Sequence, residues 1–94
     1  MIVNVKFIGS FRSLSGKDKL ALRFEGSLPL RKVIREMVGE LPKLGEALID
    51  RELDEPKTSM LILVDGKEIS VLNGLDTVIR DGDEVVFVPV LHGG

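Results

Sequence analysis

The chain has no cysteine, no tryptophan and no tyrosine, and only one histidine and four prolines among its 94 residues. Without cysteine there is no disulfide, no thiolate zinc or iron–sulfur site, no thiol nucleophile and no side chain to hold a persulfide. The single histidine, His92, cannot build a multi-histidine metal centre. No run of about 18 apolar residues is present, so no segment reads as a membrane span. The first residues alternate like a strand rather than forming an apolar leader, and a cytoplasmic location is the expectation. No Gly-x-x-x-x-Gly-Lys-Ser/Thr loop occurs, so the chain is not expected to bind ATP itself. Four phenylalanines and a net charge of −2 supply neither the stacking platform nor the basic field that direct nucleic-acid binding needs.

What is present is a globular mixture, 44% hydrophobic and 30% charged, of a length suited to one domain. Charge is uneven. Residues 1–47 carry a net +4 and residues 48–94 a net −6. Solvated faces explain this most simply; a docking face of complementary charge is the alternative.

Ile2–Ile8 alternates, with Val3, Val5 and Phe7 on one side, and Lys19–Glu25 alternates again, with Leu20, Leu22 and Phe24 on one side. The turn-rich link between them makes the pair a hairpin. Leu30, Val33, Ile34, Met37, Val38 and Leu41 follow helical spacing, after a start at Ser27 and Pro29. Gly39 and Pro42 are expected to end that helix. Leu44, Ala47 and Leu48 suggest a short second helix, followed by a charged loop over 51–57. Two apolar runs, 60–64 and 84–91, belong inside a sheet. Asp65-Gly66, Asn73-Gly74 and Asp81-Gly82 are turns, and Lys67–Val71 is a short returning strand.

This order predicts an α+β fold: a single mixed sheet with one main helix packed on one face. The helix stripe should meet Val3, Val5, Phe7, Leu20, Leu22 and Phe24. The opposite face would then expose apolar side chains, which usually marks a contact surface. Val86, Val88 and Val90 form one side of the last strand, and Val85, Phe87 and Leu91 the other. The sequence leaves open which side is exposed; Val86, Val88 and Phe87 are the candidate partner-binding residues.

The sequence ends Pro89-Val90-Leu91-His92-Gly93-Gly94. Proline cannot donate to a ladder and helps the chain leave the sheet. Two residues without side chains suit a narrow channel in which a partner approaches the backbone closely. The expected organisation is a domain over 1–89 and a flexible tail over 90–94. His92 titrates near neutrality, but the tail holds no Ser, Cys or Asp to complete a relay, so a recognition contact outweighs catalysis. Asp81, Asp83 and Glu84 lack the spacing of a calcium loop and read as turn chemistry. Arg31, Lys32 and Arg35 read as a solvated helix face rather than an RNA site.

Residues 61–94 resemble the C-terminal half of the β-grasp, ubiquitin-like sulfur carriers. That group includes the small subunit of molybdopterin synthase, the thiamine sulfur carrier, the ubiquitin-related modifier and the archaeal small modifiers. The resemblance rests on Val64-Asp65-Gly66, Leu72–Val78, Asp81-Gly82-Asp83-Glu84-Val85 and Gly93-Gly94. In the first half it rests on Val3–Phe7 and the helix stripe. The molybdopterin branch usually ends Pro-Pro-Val-Ala-Gly-Gly; the ending Leu91-His92-Gly93-Gly94 is instead similar to that of the ubiquitin-related modifier.

The resemblance implies a β-grasp fold and a protein substrate rather than an enzyme. The Gly94 carboxylate would be adenylated by a separate, ubiquitin-activating-like enzyme that uses ATP, with Gly93, His92 and Leu91 recognised in the tail. A sulfurtransferase would then supply sulfur to form a thiocarboxylate, used for tRNA thiolation or, with a synthase large subunit, for molybdopterin. The same tail permits conjugation to target-protein lysines, and an interaction-only module is the third reading.

Overall fold

The computed structural model describes residues 1–50, 52–53, 55–57 and 60–90. In chain order the elements are β1 (Ile2–Phe7), α1 (Ser10–Ser15), β2 (Lys19–Arg23), β3 (Leu28–Pro29), α2 (Leu30–Glu40) and α3 (Pro42–Leu48). They continue with β4 (Ile49–Asp50), β5 (Glu55–Pro56), β6 (Met60–Val64), β7 (Lys67–Glu68), β8 (Val78–Ile79) and β9 (Glu84–Pro89). The five-stranded sheet has the order β2-β1-β9-β6-β7. β1 is antiparallel to β2 and parallel to β9, and β9 is antiparallel to β6. This is the mixed sheet expected from the sequence. Both apolar runs lie inside it, with only the two-residue β7 beyond β6.

The helix stripe packs as its period predicts. Leu30, Val33, Ile34 and Met37 are buried with Val3, Val5, Phe7, Leu22, Ile62, Val64, Val85 and Phe87. Leu20, Phe24 and Val38 are half-buried at the margin of this core. At its centre the rings of Phe7 and Phe87 stack, with centroids 6.2 Å apart and planes inclined by 23°. The start of α2 is tied to the chain's second half: β3 pairs with β8, and the Leu30 N–H donates to the Thr77 carbonyl at 2.8 Å. Thr77 is buried, and its hydroxyl donates to the Gly74 carbonyl at 2.7 Å and accepts from the Asn73 N–H at 3.1 Å. Burying that hydroxyl therefore leaves no unmet hydrogen bond.

Local readings are corrected where tertiary contacts overrode them. The link between β1 and β2 is not only turns but contains α1, whose Phe11 is buried. Six residues are too few for a helical period to show, and the glycine signals at Gly9 and Gly16 are the ends of that helix. Gly39 does not end α2, which runs to Glu40; the break comes before Pro42, which opens α3 in the first turn. A β-carbon on Gly45 would overlap Val38 Cγ1, so this glycine lets α3 press against α2. The segment Lys67–Val71 is a strand only at Lys67–Glu68. It then turns as a 3-10 helix over Ile69–Val71, capped by the Glu68 carboxylate, which accepts from the Ser70 N–H at 2.7 Å. The stretch after α3, expected as a loop, includes the two-residue pairing of β4 with β5.

Among the described residues no helix is long and apolar enough to cross a membrane. Ile34 is 2% exposed, so Ile34→Ala is expected to lower stability by about 2–5 kcal/mol. Urea denaturation reads this directly; an unmoved midpoint would mean that the stripe is not core.

Candidate functional site

The register divides the sheet into two faces. On the helix face Phe7 lies beside Phe87 and Phe87 beside Ile62; Val5 lies beside Val85 and Val85 beside Val64. On the open face Lys6 lies beside Val86 and Val86 beside Leu63, while Val88 lies beside Leu61. Val86, Val88 and Leu63 are half-buried and Leu61 is 42% exposed. Ile8, just past β1, is 44% exposed, and Val90, just past β9, is 39% exposed. The result is an apolar patch across β6 and β9 that no described element covers. Its border is charged: Lys6 and Glu84 pair at 3.2 Å, with Lys19 beside Lys6 on β2 and Glu68 beside Leu63 on β7.

This geometry separates the three candidate partner-binding residues. Val86 and Val88 belong to the open face. Phe87 does not: it is fully buried, stacked on Phe7, and points to the helix side. The alternation of a strand puts neighbours on opposite faces, so the three could not share one surface. The signal that distinguishes them was in the sequence. Glu84 has the same parity as Val86 and Val88, and an ionised carboxylate is rarely buried. No such polar marker exists within Met60–Val64, so only pairing with β9 assigns Leu61 and Leu63 to the open face.

The patch leads toward the end of the described chain. Val86, Val88 and Val90 recur at every second position, and β9 ends at Pro89. Leu91, His92, Gly93 and Gly94, the candidate tail residues, lie outside the described residues.

Beside the other end of β9 the carboxylates serve as caps. Asp65 and Gly66 both have positive φ, +50° and +83°, the two-residue hairpin turn that Asp-Gly favours. The Asp65 carboxylate accepts from the Glu84 N–H at 2.9 Å. Asp81 accepts from the Ile2 N–H at 2.7 Å, and Asp83 accepts from the Arg80 N–H at 2.7 Å. Among the described residues no three acidic, histidine or cysteine side chains cluster to hold a metal ion. Arg31 is likewise a structural participant, pairing with Asp76 at 3.1 Å on an exposed helix side.

Comparison with known proteins places this arrangement. The ThiS family model matches residues 5–94. The chain belongs to the ThiS family. Small archaeal modifier protein 3 of Haloferax volcanii is 30% identical over 94 residues, covering all of both chains. Ubiquitin-related modifier 1 of Schizosaccharomyces pombe is 29% identical over 97 residues, again across the whole of both. The crystal structure of SAMP1 from Haloferax volcanii superposes with a TM-score of 0.88 over all of both chains at 18% identity, which shows the shared ubiquitin-like β-grasp fold. This ThiS-family chain is thus one of the small ubiquitin-like carrier and modifier proteins.

The proximity of Asp65 and Asp83 has a measurable consequence. Withdrawal from water raises the Asp83 carboxyl above the ordinary value of 3.8, and the Asp65 carboxylate adds to the rise against the opposing Arg80. The folded chain therefore holds this proton more tightly than the unfolded chain does. Asp83 then contributes a decline in stability as pH rises from 3.8 through its folded value. Asp65→Asn keeps an acceptor for the Glu84 N–H and tolerates positive φ. It is expected to flatten that decline in urea titrations between about pH 3 and 7; an unchanged slope would remove Asp65 from the cause.

Proposed function

We propose that this chain is a sulfur carrier, activated at the Gly94 carboxylate by a separate adenylating enzyme. The observation that carries the reading is the apolar open face of β6 and β9, which runs up to the point where the chain leaves the sheet. A carboxylate is a poor electrophile at neutral pH. Its attack on the α-phosphate of ATP, bound by the enzyme, releases pyrophosphate and leaves an acyl adenylate. A persulfide on a sulfurtransferase then attacks the acyl carbon and displaces AMP, giving an acyl disulfide; a second thiol attacks the sulfurtransferase's own sulfur, closes a disulfide with it and releases the thiocarboxylate. The carrier's own task is to dock and to present the tail; it supplies no catalytic group. Docking uses Leu61, Leu63, Val86 and Val88, with Lys6 and Glu84 at the border. Burial of such a patch favours association by about 25 cal/mol per Å² of apolar surface, before the entropic cost of binding.

The sulfur would go to tRNA thiolation or, through a synthase large subunit, to molybdopterin. The ending Leu91-His92-Gly93-Gly94 favours the first. A second reading is conjugation of Gly94 to target-protein lysines. It is favoured by the two full-length relatives, both of which are named modifiers. Both readings pass through the same adenylate.

Two experiments test the common part. Leu61→Glu places a charge at a 42% exposed position, so its cost to folding should stay below about 1 kcal/mol. Affinity for the activating enzyme is expected to fall at least about tenfold, the loss of roughly 1.4 kcal/mol. A variant that unfolds would show that this face is needed as core. For the tail, ATP–pyrophosphate exchange is to be compared in the wild type, Gly94→Ala and a chain lacking Gly93 and Gly94. Exchange should fall sharply in both variants while their melting curves match the wild type. Equal exchange in all three would leave the tail without a role in activation.

A further inference from the structure

The turn between β1 and α1 is held on two sides. The Ile8 N–H donates to the Phe87 carbonyl at 3.1 Å, which extends the β1–β9 ladder past the end of β1. The Gly9 carbonyl accepts from the Arg12 N–H at 3.0 Å, and Phe11, 6% exposed, anchors α1 in the core. Gly9 itself has φ +60° and ψ −131°, a region essentially confined to glycine. What its missing side chain would meet is Pro89. A β-carbon on Gly9 would lie 3.2 Å from Pro89 Cγ and 3.8 Å from Cδ. Optimal carbon–carbon separation is about 3.5–4.0 Å, so the first contact is too close and something must give. The turn is bonded to β9 and to α1, whereas Pro89 is the last residue of its strand. On the other edge Pro89 pairs with Met60 of β6. The ring thus lies beside a fixed turn, and the backbone that carries it is held to β6.

We propose that Gly9 is a positioning residue for the C-terminal tail: by lacking a β-carbon it lets the Pro89 ring seat against the β1–α1 turn. That seat sets the direction in which the chain leaves β9. The functional part of this inference rests on the carrier or modifier reading, because only an activated tail needs to be aimed. The structural part does not. A methyl group at position 9 pushes the ring outward and turns the bond vectors of Val90, while the docking face on β6 and β9 is untouched.

The test is a cycle of Gly9→Ala, Pro89→Ala and the double variant, in the full chain, with two readouts. Residual dipolar couplings of the Val90 N–H report tail direction without any enzyme. Gly9→Ala should change this coupling and leave those of residues 84–88 in place. The double variant should return to the value of Pro89→Ala alone, since the methyl then has no ring to displace. In ATP–pyrophosphate exchange with the cognate activating enzyme, Gly9→Ala should lower kcat about tenfold, the scale expected of a reacting group misplaced by a fraction of an ångström. KM should stay within about twofold, because uniform binding is unaffected. The double variant should match Pro89→Ala.

Backbone strain at Gly9 without ring contact would instead give the same defect in both backgrounds, and such additivity would overturn the proposal. An unmoved Val90 in Gly9→Ala would overturn it also, whatever the enzyme does. A moved Val90 with undiminished exchange would overturn its functional part. If the wild type supports no exchange, the carrier and modifier reading fails, and the couplings alone decide the positioning. Should Gly9→Ala not fold, Pro89→Ala opens the seat from the other side, and an unchanged Val90 direction there counts against the proposal.

Discussion

β9 is bonded along both edges, parallel to β1 and antiparallel to β6, and the rest of the structure depends on that double pairing. The parallel pairing joins the first and last strands, and the link from β2 to β6, which carries α2, crosses over them. α2 must lie over the face that this crossover covers, and the stacked rings of Phe7 and Phe87 join the first and last strands beneath it. Such long-range pairing is entropically costly to form and is offset only when the helix stripe is buried at the same time. The strand that carries the chain toward its last residues is therefore held along both edges.

The same strand serves two surfaces. Val85 and Phe87 are fully buried on the helix side, whereas Val86 and Val88 help form the open patch. Stability is supplied by the first set of side chains, so the second set is free to be apolar without being core.

The acidic second half of the chain finds its explanation in the turns. Asp65, Asp81 and Asp83 accept from a backbone N–H at the start of β9, at the start of β1 and just past β8, and so replace hydrogen bonds that the turns would otherwise lose. The cost is that two carboxyl groups, Asp65 and Asp83, stand close together. Basic residues concentrate in the first half instead, where Arg31 reaches across to Asp76 at the start of α2. The charge asymmetry is in part an arrangement of caps and cross-links.

Much of this was legible in the residues. Alternation defined β1 and β2, helical spacing defined α2, and long apolar runs marked the inner strands. Each of these signals survives because a period of 2 or 3.6 repeated over several residues has only one face to bury. Shorter elements left weaker signals: the six-residue α1 and the two-residue β8 left none, and the returning strand expected over Lys67–Val71 is only the two-residue β7. Neither a period nor a propensity can accumulate over such lengths, and these elements exist because larger neighbours hold them. The orientation of an unbroken apolar run was likewise undecided for Leu61 and Leu63, which differ from Ile62 only in the strand they meet. By itself the sequence determined the fold class and the helix-facing core. The tertiary structure alone decided that Leu61 and Leu63 face the open side while Ile62 is core, and that Gly9 meets Pro89, residues 80 positions apart in the sequence. Those facts depend on register and on the approach of distant segments, which no local pattern encodes.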